Sequence, residues 1–262
     1  MEDKIAHFTQ QTIASWNEAA ARHEAINQSL FDSVKRKTFN NLNPDFNKLI
    51  DSISIKNKDV VQVCCNNGID LISVKNKGAG SCLGIDGSEA FIAQAKELSV
   101  ATRHSDIEFL CSDIYALTDE FQSKFDVLIV TVGVIYWMPD LNHFMKICAG
   151  LLKPNGQIVM EEMHPILGMY EEGNPSYAAT SYFEKEPFKD ETGLDYFTYE
   201  NYEGKPNYWF QHTVSDLITA AIKAELTLVH FKELSYNIGN YCADLEKENA
   251  NPPLGMNIMW VK

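Results

Sequence analysis

Arginine is scarce in this chain: 262 residues hold three, Arg22, Arg36 and Arg103, against 36 acidic residues and a net charge of −14. A surface that follows a phosphate backbone needs clustered Lys and Arg, so a nucleic-acid partner is not expected. The six cysteines, Cys64, Cys65, Cys82, Cys111, Cys148 and Cys242, show no CxxC spacing. Adjacent Cys64 and Cys65 point to opposite faces if the strand continues that far and are poor partners for each other, so buried free thiols in a reducing compartment are expected. No run approaches the roughly 20 apolar residues of a membrane span, and the opening MEDKIAHFTQ has no signal-peptide core. These absences point to a soluble cytoplasmic protein with no membrane partner.

The stretch from Asp59 to Asp86 is the most informative. An apolar run, Val60, Val61 and Val63, breaks at Cys65-Asn66-Asn67-Gly68; a short helical pattern follows, then Cys82-Leu83-Gly84-Ile85 ending on Asp86. Strand, turn, helix, strand and carboxylate form the opening half of a nucleotide-binding α/β sheet, in which a strand-end acid grips two ribose hydroxyls. A nicotinamide-dependent oxidoreductase uses the same parts. It normally carries G-x-G-x-x-G in the turn, however, and this turn holds one glycine.

Alternation continues to Met163. Ser88 caps a helix with Phe91, Ile92, Ala95 and Leu98 on its apolar face; Ile107–Cys111 and Phe125–Val130 read as strands; Asp140 caps a helix that stops at Lys153-Pro154-Asn155-Gly156; and Gln157–Met160 is a fifth strand. Right-handed crossovers make this a doubly wound, mostly parallel sheet. Leu226–Phe231 and Met256–Val261 predict a closing antiparallel pair at the sheet edge. Residues 1–55 read as two or three helices forming an N-terminal cover that also stands to close the cleft. Residues 170–210 hold twelve aromatics without a steady period, which predicts an ordered cap inserted at about 165–212 of an α/β domain spanning 56–262.

Asp86 and Asp113 close successive strands, and open α/β sheets bind ligands along that carboxyl edge. An acid at Asp113 suits an adenine amino group. The segments VVQVCCNNG, LGIDGSE, IEFLCSDIYAL, FDVLIVTVGVIYWMPD and LLKPNGQIVMEEMHP lie in the order and spacing of the class I S-adenosylmethionine-dependent methyltransferases, which the chain resembles over about residues 59–164. WNEA at 16–19 and WFQHT at 209–213 are similar, more loosely, to one bacterial branch with small substrates. The resemblance implies a seven-stranded sheet with its last strand antiparallel, S-adenosylmethionine as cofactor, and a small-molecule methyl acceptor. It assigns cofactor binding to the turn, with Gln62 in the place of the usual acid, Cys64 and Asn66 in the places of two glycines, and Gly68 retained. Asp86 with Gly87, Asp113 with its neighbours Ser112 and Ile114, and Thr131 complete the implied set.

Methyl transfer from a sulfonium is an in-line displacement that asks mainly for alignment and exclusion of water. Tyr136, Trp137, Met138 and Pro139 follow the fourth strand, where the family places residues beside the methyl. His164, after the fifth strand, and His212, before a helix start, are candidates with Tyr136 for handling the acceptor, as base or orienting donor. The pair Glu162 and His164 is too small a ligand set, so no metal is expected. The altered turn keeps open a non-catalytic binding protein with a degenerate cofactor loop. Acceptor identity and oligomeric state are not readable.

Overall fold

The computed structural model describes residues 2–26, 28–102, 104–194 and 202–262. Arg103 and part of the aromatic segment, 195–201, therefore lie outside the described residues. The chain begins with three helices, α1 (Glu2–Ile26), α2 (Gln28–Val34) and α3 (Pro44–Ser52). Strands and helices then alternate through β1 (Val60–Val63), α4 (Ile69–Asn76), β2 (Cys82–Asp86), α5 (Glu89–Ala101), β3 (Ile107–Cys111), β4 (Phe125–Val130), α6 (Leu141–Leu151) and β5 (Leu152–Met163). Two short antiparallel pairs follow, β6 (Tyr170–Glu171) with β7 (Tyr177–Ala178), and β8 (Phe188–Asp190) with β9 (Asn207–Trp209). Helix α7 (Val214–Lys223) leads into β10 (Thr227–Leu234) and β11 (Gly255–Val261).

The seven-stranded sheet runs β10-β11-β5-β4-β1-β2-β3, parallel except for β11, which is antiparallel to both its neighbours. Central strands read as unbroken apolar runs because both faces are covered: β4 is buried at Phe125 and from Val127 to Val130. One core layer lies between the sheet and α6 and α7, the other between the sheet and α3 and α4, with Phe46, Leu49 and Ile50 of α3 in the second.

Local signals account for the helix starts. Ser88 accepts from the Phe91 amide, Asp140 from the His143 amide, and Thr213 with Asp216 forms a reciprocal capping box. Helix α6 stops at Leu151 as the Lys-Pro-Asn-Gly segment requires, but that segment is not a loop. Asn155 turns with φ +64°, its amide donates to the Lys262 carbonyl, and β5 starts at Leu152, earlier than the pattern suggested. All six cysteines are free; Cys111 is exposed, against the expectation of burial, because β3 is the sheet's edge strand.

Candidate cofactor and acceptor site

The carboxyl edge of β1, β2 and β4 opens into a cavity of about 1240 Å³, roofed by α1 and by β8–β9. At its floor the turn after β1 keeps the backbone of a glycine-rich loop without the glycines. Cys64, Asn66 and Gly68 have φ of +51°, +52° and +73°. Left-handed backbone costs an L residue about 1–2 kcal/mol, less for asparagine, whose side chain bonds locally; here Asn66 Oδ1 accepts from the Asn67 amide at 2.7 Å. Gly68 cannot be replaced in the same way. A Cβ there would lie 2.7 Å from the Phe109 ring, and Gly68 is also the left-handed cap of α4.

Asp86 ties this turn to the second strand. Its Oδ2 accepts from the Asn66 amide at 2.8 Å and its Oδ1 from the Ser88 amide at 2.8 Å. Burial raises its pKa, and the two amide donors oppose that shift. Asp113 accepts from the Tyr115 amide, capping a single 3-10 turn, and from the Thr9 hydroxyl of α1. Asn17, one helical face further on, accepts from the Ser88 hydroxyl and the Ala90 amide. Helix α1 is thereby bound to the ends of both β2 and β3, and a Cβ on Gly87 would strike Ile13 at 2.5 Å.

A second polar group lies at the tips of β1, β4 and β5. Gln62 Nε2 donates to Thr131 Oγ1 at 2.9 Å, and that hydroxyl donates to Asp70 Oδ2 at 2.8 Å. Asn41 donates to the other oxygen of Asp70, and Asn43 donates to Glu161 Oε2 at 2.8 Å. Gln62 Oε1 and Glu161 Oε1 have no partner among the described residues, although Gln62 is 1% and Glu161 2% exposed. Burial, with the Asp70 charge adding to it, pushes the Glu161 carboxyl up to about 8. Gln62 Oε1 is an acceptor, and Glu161 Oε1 becomes one when its carboxyl ionises, so the group that fits is a donor, above all an ammonium, whose charge favours that ionisation.

Nine of the ten residues expected to hold a cofactor line this cavity: Gln62, Cys64, Asn66, Asp86, Gly87, Ser112, Asp113, Ile114 and Thr131. Gly68 does not; it holds the turn from behind. Of the three expected to handle an acceptor, only Tyr136 lines it, and its hydroxyl donates to the His164 carbonyl at 2.9 Å. His164 and His212 are not in the lining. His164 Nδ1 accepts from the Ile166 amide and Nε2 sits 3.2 Å from Glu233, while His212 Nε2 donates to the Met138 carbonyl at 2.8 Å. Desolvation lowers the pKa of both rings. Glu162 points away from Glu161 and is used up by the amides of Gly133, Ile135 and Met163. The sequence does not show that Asp70, Asn41, Asn43 and Glu161 meet, because their meeting depends on α4, the 41–43 loop and β5 lying side by side.

Residues 60–156 match the family model described as a methyltransferase domain. Among curated relatives, a ubiquinone biosynthesis O-methyltransferase of Coxiella burnetii is 29% identical over 60% of this chain and 60% of its own length, so the chain spans well under two thirds of that relative. A solved S-adenosylmethionine-dependent methyltransferase of Mesorhizobium loti aligns with a TM-score of 0.61 at 18% identity, covering 82% of this chain and 96% of that one. Another from Clostridium acetobutylicum aligns with a TM-score of 0.59 at 13% identity, covering 94% and 98%. At these identities the two structures speak for the fold.

Proposed function

We propose, for a chain that belongs to the class I S-adenosylmethionine-dependent methyltransferases, that it moves a methyl group from that cofactor to a small-molecule acceptor enclosed by α1 and the aromatic cap. The observation that carries the reading is the Asp86 carboxylate, held by the amides of Asn66 and Ser88 beside a turn that keeps three positive-φ positions. Each of its oxygens retains capacity to accept from a ribose hydroxyl. The unpartnered Gln62 Oε1 and Glu161 Oε1 fit the ammonium of the cofactor's amino-acid end, with Asp70 supplying the charge that Gln62 lacks. Asp113 and Ile114 would flank the adenine.

When bound, the cofactor supplies an electrophilic methyl on a positively charged sulfur. The residues around it act by positioning. Asp86 and the Gln62–Thr131–Asp70 chain fix the two ends, and α1 with Trp16 and Trp137 keeps water out. Tyr136 belongs to this set as a wall whose ring is anchored through its hydroxyl; His164 and His212 would support the wall through backbone contacts without touching the acceptor. The cavity would align the acceptor's lone pair with the methyl, and solvent or a cavity carboxylate would take any acceptor proton.

The same proposal takes residues 1–55 as a helical cover over a methyltransferase domain of 56–262. A net charge of −14 and the absence, among the described residues, of a helix able to cross a membrane support a cytoplasmic enzyme without a nucleic-acid partner. Calorimetric titration with S-adenosylmethionine and with S-adenosylhomocysteine tests the reading, with NADH as the competitor cofactor. Binding of both sulfur compounds and no heat from NADH is expected; the reverse pattern refutes it, and silence toward all three would mark a fold that has lost its ligand.

A further inference from the structure

The charges lining the cavity carry one sign. Six acidic residues line it, Asp70, Asp86, Asp113, Glu161, Glu172 and Asp190, and among the described residues no Lys or Arg does. Nearby cations are engaged elsewhere: Lys189 pairs with Glu191 at 2.6 Å, and the Arg22 guanidinium lies 4.0 Å from the Tyr202 ring centroid. The proposed cofactor role accounts for four of the carboxylates, leaving Glu172 and Asp190. Glu172 is an exposed rim residue that accepts from the Cys242 amide at 2.9 Å. Asp190 differs. Its Oδ1 accepts both the amide and the hydroxyl of Thr192, while its Oδ2 has no partner among the described residues.

Asp190 ends β8 and lines the same cavity as three indoles. Trp209, on the paired strand β9, is stacked on Phe188 with centroids 3.9 Å apart, which holds its plane. Trp16 and Trp137 meet edge to face at 5.4 Å, and His23, 5.8 Å from Trp16, donates to the Leu194 carbonyl four residues beyond Asp190. Indole faces attract cations, most strongly where water is excluded, and an acidic wall repels anions.

We infer that the acceptor is a cationic molecule, carrying an amine held between the Asp190 carboxylate and the indoles of Trp16, Trp137 and Trp209, and that anionic acceptors are rejected. The inference rests on the methyltransferase reading and narrows it to a substrate class. It concerns the group that is recognised, which can be separate from the atom methylated. A carboxylate or phosphate acceptor of the same shape would meet no protein countercharge among the described lining residues.

The test uses the full chain saturated with S-adenosylhomocysteine and three probes sharing a phenyl ring and similar length: 2-phenylethylamine, 3-phenylpropanamide and 3-phenylpropionate. The amine should bind about tenfold more tightly than the neutral amide, by the usual strength of a charged hydrogen bond, and the carboxylate should give no heat. Asp190→Asn retains the oxygen that accepts from Thr192; it should weaken the amine about tenfold and leave S-adenosylhomocysteine affinity unchanged. Amine binding no tighter than amide binding, any preference for the carboxylate, or an Asp190→Asn protein with unaltered amine affinity overturns the inference. Failure of S-adenosylhomocysteine to bind removes the cofactor reading and this inference together, whereas its binding without an amine preference removes this inference alone.

Discussion

The Asn66 amide donates to Asp86 Oδ2 at 2.8 Å, so the acid at the end of β2 holds the turn after β1 in place before any ligand arrives. The carboxylate is both a ligand-binding group and part of the loop's scaffold.

Asp86→Ala should therefore weaken S-adenosylmethionine roughly 10- to 100-fold, from loss of charge-assisted hydrogen bonds. It should also lower the melting temperature, because two amides lose their acceptor. Asp86→Asn keeps an acceptor for one amide but sets its NH2 against the other, so it should recover part of the stability and little of the affinity. Calorimetry and thermal melts on both variants separate the two effects, and equal affinity in wild type and Asp86→Ala would reduce Asp86 to a scaffold.

The positive-φ turn predicts opposite outcomes for two small replacements. Asn66→Gly should stay within about 0.5 kcal/mol of wild type, since glycine tolerates φ of +52°. Asn66→Ala should lose roughly 1–2 kcal/mol, from a strained Cβ and the lost bond to the Asn67 amide. Urea denaturation distinguishes them; identical midpoints would contradict the left-handed assignment.

Glu161 gives a pH signature with a defined sign. Its folded pKa, about 8, lies above the ordinary value of 4.5. The folded state thus holds a proton that the unfolded state releases, and this group's contribution to stability falls as pH rises from about 4.5 to 8 and is constant beyond. Glu161→Gln keeps an oxygen for Asn43 and should flatten that decline in melts run from pH 5 to 9. Cofactor affinity should move the other way in the wild-type protein, rising toward pH 8 as the carboxylate ionises to meet an ammonium. An affinity that is flat across this range would take Glu161 out of the site.

Tyr136→Phe, His164→Ala and His212→Ala should separate packing from chemistry. Once an acceptor is known, each should retain turnover within about tenfold of wild type, well short of the 10²–10⁴ expected for loss of a general base. The two histidine variants should melt earlier, because Ile166 and Met138 lose side-chain partners. A collapse of turnover at unchanged cofactor affinity in any of them would restore that residue to the acceptor.

Much of this architecture was readable because its causes are local. Apolar runs closed by Asp86 and Asp113, a capping Ser88 and Asp140, and a chain stop at Lys153–Gly156 each depend on a few neighbouring residues, and the alternation of strand and helix then dictates the sheet. The histidines show where that reasoning ends. Standing just after a strand puts His164 at the carboxyl edge, but the ring turns back to cap its own 3-10 turn, and sequence position does not encode that rotation. Asp70 was hidden for a related reason. In the chain it is an ordinary acid in the first turn of α4; only the parallel pairing of β1 with β4 brings Thr131 and Gln62 beside it.

The N-terminal helix carries a kinetic consequence. Thr9 is bonded to Asp113, Asn17 to Ser88, and Thr12 exchanges hydrogen bonds with the Tyr208 backbone, so α1 is fastened to the sheet on one side and to the cap on the other. A molecule that leaves past this helix does so when these fastenings open together. Exchange by that route follows how often a 25-residue helix detaches, so protease access to α1 and ligand exchange should rise together.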